Sequence, residues 1–333
     1  MADKLAFLQI GLGSMGKRRI RNLFANGEKN VIGFDLSPER RKETEEKYGI
    51  KTIDDLTKLL DKDFDAIIIS TPPNKHGDYI RFALKHKKHF FTEVSTSDDG
   101  YEDIFRAASS KIIKASSATM RHFFPIKTIK KLVSEGRIGK IFAYQYHMGQ
   151  YLPDWHPWED YRKVFFSKKE TGACRELFPF ELCWLNWLIN SRVASISGSL
   201  GKVSDLDMDA EDVLAANLRY ENNVFGNIMI DAISRKPVRN LRIMGSDGTL
   251  EWDWQDWIIK VYDAASKKTE VINAPKENPA AGYTTQSEAM HEEEIKAFLD
   301  AIYGRTPYPY TFEEDLLNLK TLYKLEAGGG VVL

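Results

Sequence analysis

Two patterning regimes divide this chain, and together they predict an α/β N-terminal domain with a doubly wound parallel sheet, followed by an α+β C-terminal domain with an open, mostly antiparallel sheet. The first third alternates short apolar strands with helical patterns, as parallel strands joined by crossover helices do. From residue 141 onward strand patterns follow one another directly, with Asn222-Asn223 and Asp247-Gly248 standing where hairpin turns belong. At 333 residues the chain is long for one core, and two domains are expected, 1–122 and 123–333.

Leu5 to Ile10 is the first strand, and it runs through Gly11-Leu12-Gly13-Ser14-Met15-Gly16 into a helical stretch from Lys17 to Phe24. Strand, glycine turn and helix in that order suit a dinucleotide pyrophosphate. The first glycine permits the tight turn, the second lets backbone approach phosphate, and the third lets helix pack on strand. The helix N-terminal amides then face the anion. A second apolar run, Val31 to Phe34, ends at Asp35, about 20 residues beyond the last glycine, where a carboxylate accepts hydrogen bonds from the adenosine ribose and repels a 2′-phosphate. Asp35 serves equally as a cap for the turn before Ser37-Pro38-Glu39. The cofactor expected is NAD(H) ahead of NADP(H), with Arg40 and Arg41 keeping the phosphorylated form open. Lys17, Arg18 and Arg19 read as solvated helix residues, Arg18 close to phosphate.

Asp54 to Leu60 is a short helix, and Ala66 to Ser70 a continuous apolar strand buried on both faces. Pro72 and Pro73 force a turn after it, and His76 opens the next helix. His89 to Glu93 is a further strand, and Lys114 to Thr119 closes the nucleotide half. Strand C-terminal ends line the ligand crevice of such a sheet, so Gly11 to Gly16, Asp35, Ser70, Thr71, Pro72, His76, Glu93 and Val94 are the cofactor-binding candidates. Beyond a helix from Phe124, the second half shows strands at Ile141–Gln150, Val193–Gly198, Asp212–Tyr220, Val224–Ala232, Leu241–Met244 and Thr249–Asp253. A helix at Leu182–Leu188 interrupts them, and helices at Glu292–Tyr303 and Glu313–Lys324 end the chain. Met148 and Trp252, Trp254 and Trp257 suit a core or a subunit interface.

Hydrophobic residues make up 43% and charged residues 29%, with a formal charge of −1, so neither a nucleic acid nor an anionic membrane is implied as partner. Cys174 and Cys183 form no disulfide framework or metal-ligand set, and no metal is expected. With no leader pattern and no apolar run of about 18 residues, a cytoplasmic location is expected.

GLGSMG at 11 to 16, STPPNKH at 70 to 76, KHFFTEV at 88 to 94 and GRTPYPYTFEEDL at 304 to 316 resemble, in order and spacing, the glucose-fructose oxidoreductase, inositol dehydrogenase and MocA family. The resemblance implies a Rossmann domain followed by an open-sheet domain that pairs subunits as a homodimer or homotetramer. It implies a nicotinamide-proximal place for His76 and Glu93. The family's fourth strand ends in Glu-Lys-Pro, whose lysine binds substrate, whereas this chain has Glu93-Val94-Ser95. The family's Asp-x-x-x-His on the second domain's helix carries the general base; aligned on Trp187, its equivalents are Glu176 and Phe180. Phenylalanine cannot exchange protons. A register shifted by one would put Pro179 or Glu181 there instead.

The densest polar and aromatic cluster is Tyr151 to Arg162, where tryptophans offer flat faces to sugar rings and Asp, His and Arg offer directional hydrogen bonds. Tryptophans covering a sheet edge, with surface salt bridges beside them, give the same sequence. His156 is the first candidate for the displaced base and Tyr161 the second, with Glu176 as the retained acid. Trp155, Arg162, Glu93, Arg121, His122 and Arg175 are the substrate-binding candidates; Arg175 is equally placed to pair with Glu176. These residues fit an oxidoreductase acting on a secondary alcohol or ketone of a sugar, amino sugar or nucleotide sugar. The two lost family residues leave two alternatives. One is a lyase or glycosidase that recycles its NAD, and the other a catalytically silent NAD(H)-binding sensor or partner protein.

Overall fold

A computed structural model of the chain describes residues 5–107, 111–155, 157, 159–275 and 288–328. Helices and strands group into two compact units, one holding the chain up to Thr119 and a return segment ending at Leu316, the other running from Met120 and resuming at Leu317. The return segment therefore belongs with the first unit, whereas the sequence places everything after residue 122 in the second domain.

In the first unit, β1 (Phe7–Ile10) leads through the glycine turn to α1 (Ser14–Ala25), then β2 (Val31–Phe34), α2 (Pro38–Tyr48) and β3 (Lys51–Ile53). Next come β4 (Ala66–Ile69), α3 (His76–Lys85), β5 (His89–Thr92), α4 (Tyr101–Arg106) and β6 (Lys114–Ser116). The six strands are all parallel in the order β3-β2-β1-β4-β5-β6, with every residue of β1 and β4 buried, as two-sided strands require. Ser37 caps α2 through its hydroxyl, Pro38 opens it, and Gly49 closes it at φ +66°.

The short helix expected over 54–60 is replaced by two 3-10 turns, Leu56–Lys58 and Asp61–Asp63. Asp55 accepts from the Thr57 amide and Asp63 from the Leu60 amide, and such local bonds compete with an α-helical ladder.

In the second unit, α5 (Phe124–Ser134) precedes β7 (Ile141–Gly149), α6 (Ala173–Ile189), β8 (Val193–Gly201), β9 (Val213–Tyr220) and β10 (Phe225–Asp231). β11 (Val238–Gly245), β12 (Gly248–Asp253), β13 (Ile258–Asp263) and β14 (Lys268–Asn273) complete it. The eight strands lie in the order β14-β13-β12-β11-β7-β10-β9-β8. All pairs are antiparallel except β7–β10, which is parallel because α6 and the β8–β9 hairpin intervene between those two strands in sequence. β13 and β14 go beyond the six sequence-expected strands. β14 is exposed at five of six positions and so carries no alternating hydrophobic signal.

α7 (Glu288–Ile302) returns to the first unit, where Ile295, Phe298 and Leu299 join Phe7, Ile20, Leu23, Ile68 and Phe91 in one core. α8 (Phe312–Glu326) follows. Arg18 and Arg19 are fully buried, contrary to the solvated role their sequence suggests. Both lie on the α1 face that receives α7, where Arg19 meets Glu294 at 2.8 Å and Arg18 meets His291 at 3.2 Å.

Candidate functional site

The glycine turn of the first unit is shaped by two separate demands. A Cβ on Gly11 would stand 2.3 Å from the Ser70 carbonyl oxygen, and Gly11 holds φ +86°. A Cβ on Gly16 would stand 1.9 Å from the Gly11 carbonyl oxygen. Those two glycines are required by the protein's own packing. Gly13 is different: the nearest heavy atom to its Cβ position is Arg40 Nη1, at 4.0 Å. Nothing in the fold forbids a side chain there, so its smallness keeps backbone open to a bound group. Ser14 and Met15 begin α1, which has no side-chain cap and no acidic residue in its first turn. An uncapped helix start beside an open glycine fits the pyrophosphate of a dinucleotide.

Asp35 follows β2 and is almost wholly buried. Leu12 N–H donates to its Oδ2 at 2.8 Å and Ser37 N–H to its Oδ1 at 2.9 Å. It therefore does both things the sequence allows: it braces the turn at Ser37, and it presents a fixed carboxylate beside the glycine turn. Each oxygen retains a lone pair for a ribose hydroxyl.

Beyond β4, Ser70, Thr71 and Pro72 form the next strand tip. His76, at the start of α3, donates from Nε2 to the Thr71 carbonyl at 2.9 Å. Burial pushes its pKa down to about 4 against that hydrogen bond, so the ring is neutral at pH 7. His76 Nδ1 and Thr71 Oγ1 are buried polar atoms without a hydrogen-bond partner among the described residues. Orphaned groups at a strand tip fit a polar ligand. Glu93, after β5, accepts two bonds from Arg19, at 2.6 and 2.8 Å, and one from Ser70 Oγ at 3.2 Å. The structure thus gives Glu93 a bracing role that ties α1 to two strand tips, and Val94 follows it. These residues fit NAD.

The second unit holds the remaining candidates. Glu176 and Phe180 are half-buried, four residues apart and so on one face of α6. Pro179, between them in the helix, removes the amide that the Arg175 carbonyl would accept from. Arg175 donates to Glu326 at 2.5 Å and to the Glu170 carbonyl at 2.7 Å. Glu181, the position reached by a shifted register, is fully buried and accepts from Tyr146 Oη at 2.7 Å, Trp184 Nε1 at 2.6 Å and Arg239 Nη2 at 2.6 Å. So engaged, it is a structural hub of the second unit.

Arg121 is buried and donates from Nε and Nη2 to the Cys183 carbonyl, at 3.0 and 2.8 Å; His122 beside it is half-buried. Trp155 donates to the Gln150 carbonyl at 3.2 Å and packs with Tyr161, Phe166, Leu206 and Met208 around Leu152, Ala173 and Ala232. Tyr161 Oη accepts from the Asp207 amide at 3.0 Å. Exposed Arg162 pairs at 2.7 Å with Asp160, two residues away. The aromatic cluster is thus in part a satellite core, and Tyr161 keeps its hydroxyl proton for donation. His156 lies outside the described residues. Cys174 is buried, which pushes its thiol up with Asp231, Asp212 and Glu211 adding to the rise, and makes it inert.

One pairing has no signal in the sequence. His147 Nε2 stands 2.7 Å from Asp231 Oδ2, on β7 and β10, which are neighbours through the parallel pairing that hairpin logic does not foresee. The described residues contain no helix long and apolar enough to cross a membrane, and no group of three metal-ligating side chains.

Comparison with known proteins matches an oxidoreductase family with an NAD-binding Rossmann fold at residues 5–111, and the GFO/IDH/MocA C-terminal domain at residues 126–251. The uncharacterized oxidoreductase YrbE of Bacillus subtilis (strain 168) is 24% identical over 323 residues, 92% of this chain and 89% of its own. The 2,7-anhydro-N-acetylneuraminate hydratase of Mediterraneibacter gnavus is 22% identical over 258 residues, 74% of this chain and 67% of its own. Levoglucosan dehydrogenase, solved in complex with NADH and levoglucosan, shares the fold with a TM-score of 0.82 at 16% identity, over 97% of this chain and 96% of that one. With both of its halves matched and the glycine turn and Asp35 set as a dinucleotide requires, the chain belongs to the GFO/IDH/MocA family of NAD-binding oxidoreductases.

Proposed function

We propose that this protein is an NAD(H)-dependent oxidoreductase acting on a secondary alcohol or ketone of a sugar, amino sugar or nucleotide sugar. The observation that carries the reading is Gly13: it is open on the protein side, at the start of an uncapped helix, beside a carboxylate held by two backbone amides. NAD, when bound, accepts or returns a hydride. This chain's residues would hold its pyrophosphate at Gly13 to Gly16 and its adenosine ribose on Asp35. Of the substrate-side candidates, Glu176 on α6 supplies a carboxylate, and Tyr161 or His156 supplies the proton-exchanging group that Phe180 cannot. The carbohydrate class is supported by the relatives, whose names include levoglucosan dehydrogenase and a hydratase of an anhydro sugar acid.

The test supplies NAD⁺ and NADH with a panel of sugars, amino sugars and nucleotide sugars and follows absorbance at 340 nm. Oxidation or reduction of one class supports the reading. Cofactor binding with no absorbance change throughout removes it in favour of the two alternatives.

A second reading is a lyase-type reaction with NAD recycled in each turnover. Val94 and Phe180, standing where the family carries lysine and histidine, favour it, as does the hydratase among the relatives. It requires NAD to co-purify and product to form without net NADH. A silent NAD(H) sensor would bind cofactor and convert nothing.

A homodimer or homotetramer also belongs to this proposal. Phe225, Met229, Tyr262 and Val271 are exposed on one face of the large sheet, the first three alternating with buried neighbours. A sheet face that exposes large apolar side chains suits a second copy. A monomer by sedimentation at micromolar concentration would refute it.

A further inference from the structure

We infer that Arg235 binds an anionic group on the substrate, so that the sugar this protein takes carries a carboxylate or a phosphate. The inference rests on the carbohydrate reading proposed above and narrows its substrate class.

Arg235 follows β10, at an edge of the second unit where two strands and a helix end together. β7 and β10 run parallel with Gly149 opposite Asp231, so both strands finish at that edge. Their continuations stay paired: Gln150 N–H donates to the Asp231 carbonyl at 3.1 Å and Leu152 N–H to the Ala232 carbonyl at 2.9 Å. The first turn of α6 reaches the same edge, since Ala173 packs with Leu152 and Ala232, and Cys174 Sγ donates to the Ile230 carbonyl at 3.5 Å. The loop that carries Arg235 thus leaves the sheet beside the helix that bears Glu176 and beside the aromatic run that begins at Tyr151.

That loop is held in one shape. Asp231 is almost wholly buried; its Oδ1 accepts from the Ile233 and Ser234 amides at 3.0 and 2.7 Å, and its Oδ2 from Ser234 Oγ at 3.0 Å. A Cβ on Gly149 would stand 2.4 Å from that Oδ2, so the carboxylate fills the space the glycine leaves. Next along the loop, the Arg235 guanidinium lies over the Tyr151 ring, 3.9 Å from its centroid and within cation–π range. Stacking occupies the face of the guanidinium and leaves its N–H edge to fork a carboxylate or phosphate.

The other arginines near this edge are spent. Arg162 is paired with Asp160, Arg175 with Glu326 and Arg239 with Glu181, and Arg121 donates to the Cys183 carbonyl. Arg235 is exposed, and its guanidinium makes no hydrogen bond or ion pair among the described residues. Lys236 beside it is exposed too and adds positive charge. A cation placed in advance by a braced loop and an aromatic ring gives up little freedom on meeting an anion.

The experiment is titration calorimetry of the full chain in excess NADH with glucose, galactose and mannose, each matched with its uronate and its 6-phosphate. For at least one sugar, an anionic form is expected to bind at least about tenfold tighter than the neutral parent. Arg235→Gln is expected to cut that preference below about threefold, while Arg235→Lys, which keeps the charge without the fork, retains more of it. Added salt should erode the preference in the natural sequence and have little left to erode in Arg235→Gln. The uronate and phosphate arms identify which anion is taken. No anionic preference for any sugar, or a preference that survives Arg235→Gln, overturns the inference. Absorbance at 340 nm with the same sugars separates the two readings. A preference lost in Arg235→Gln without any absorbance change overturns the oxidoreductase reading and leaves Arg235 its part, whereas turnover of neutral sugars alone does the reverse.

Discussion

Arg19 and Glu294 form an ion pair at 2.8 Å in which neither side chain has any solvent exposure. The pair is the centre of a larger network: Arg19 also carries Glu93, and Glu294 accepts from Ser117 Oγ at 3.1 Å, from the Ala118 amide at 2.5 Å and from Thr119 Oγ1 at 2.7 Å. Burial opposes the charge on Arg19, but Glu93 and Glu294 hold its pKa above the ordinary range. One arginine thereby joins α1 to the tip of β5 and to the return helix α7.

Removing that arginine should be costly. Arg19→Met leaves Glu294 charged and buried with only neutral donors, and a loss of about 3–5 kcal/mol is expected. Glu294→Gln keeps an oxygen acceptor for the hydroxyls and should lose less, about 1–3 kcal/mol. Urea denaturation of the two variants checks the order. Equal losses would mean that the hydroxyl and amide contacts, and not the charge pair, hold α7 in place.

The two kinds of glycine in the turn predict opposite behaviour. Gly16→Ala forces a Cβ against the Gly11 carbonyl, 1.9 Å away, so the variant should be strongly destabilised. Gly13→Ala meets no atom closer than 4.0 Å, and its melting temperature should match that of the natural sequence. Its NAD⁺ affinity should nonetheless fall by about tenfold or more, since the added methyl group occupies space that backbone and phosphate share. Thermal melting and calorimetry on the same two proteins separate packing from binding.

His76 makes stability pH-dependent in a window set by its shift. Its pKa falls from the usual 6.5 to about 4 in the folded protein, chiefly through burial, so between those values the unfolded chain binds a proton that the native chain does not. Stability is therefore full above pH 6.5 and declines as pH falls toward 4, by about 1.4 kcal/mol per unit and about 3 kcal/mol in all. The urea midpoint of the natural sequence should drop between pH 7 and pH 5 more steeply than that of His76→Gln. Parallel curves would show that the ring carries a charge in the fold.

The first unit was legible because its signals are local. The glycine turn, Asp35 and the apolar run of β4 each declare their role within a few residues, and their meeting follows from the topology of a parallel sheet. What escaped is pairwise and distant. Arg18 and Arg19 read as surface residues because their partners, His291 and Glu294, lie in a helix hundreds of residues away. β14 escaped because an exposed edge strand has no buried face to alternate. The His147–Asp231 pair depends on the parallel β7–β10 contact, which a succession of hairpins does not announce. In the aromatic run, composition could suggest a sugar site but could not reveal that Trp155 and Tyr161 also form a small core.

The two acids of α6 offer the sharpest separation of structure from chemistry, because they are five positions apart on one helix and face different surroundings. Glu181 is fully buried and satisfies Arg239, whose side chain is half-buried beside it and stays charged through Glu181 and Tyr146. Glu181→Gln strands that charge, and a loss of about 3–5 kcal/mol is expected. Glu176 is half-buried and shares its helix face with Phe180, so Glu176→Gln should cost less stability than Glu181→Gln. If Glu176 is the acid that meets substrate, the same substitution should lower kcat by about 100-fold or more once a turned-over substrate is in hand. At a temperature where Glu181→Gln remains folded, its kcat should show the pH profile of the natural sequence, because its carboxylate exchanges no proton in the reaction. A pH profile altered by Glu181→Gln and untouched by Glu176→Gln would reverse the two roles and put the proton-exchanging position at Glu181, one residue beyond Phe180.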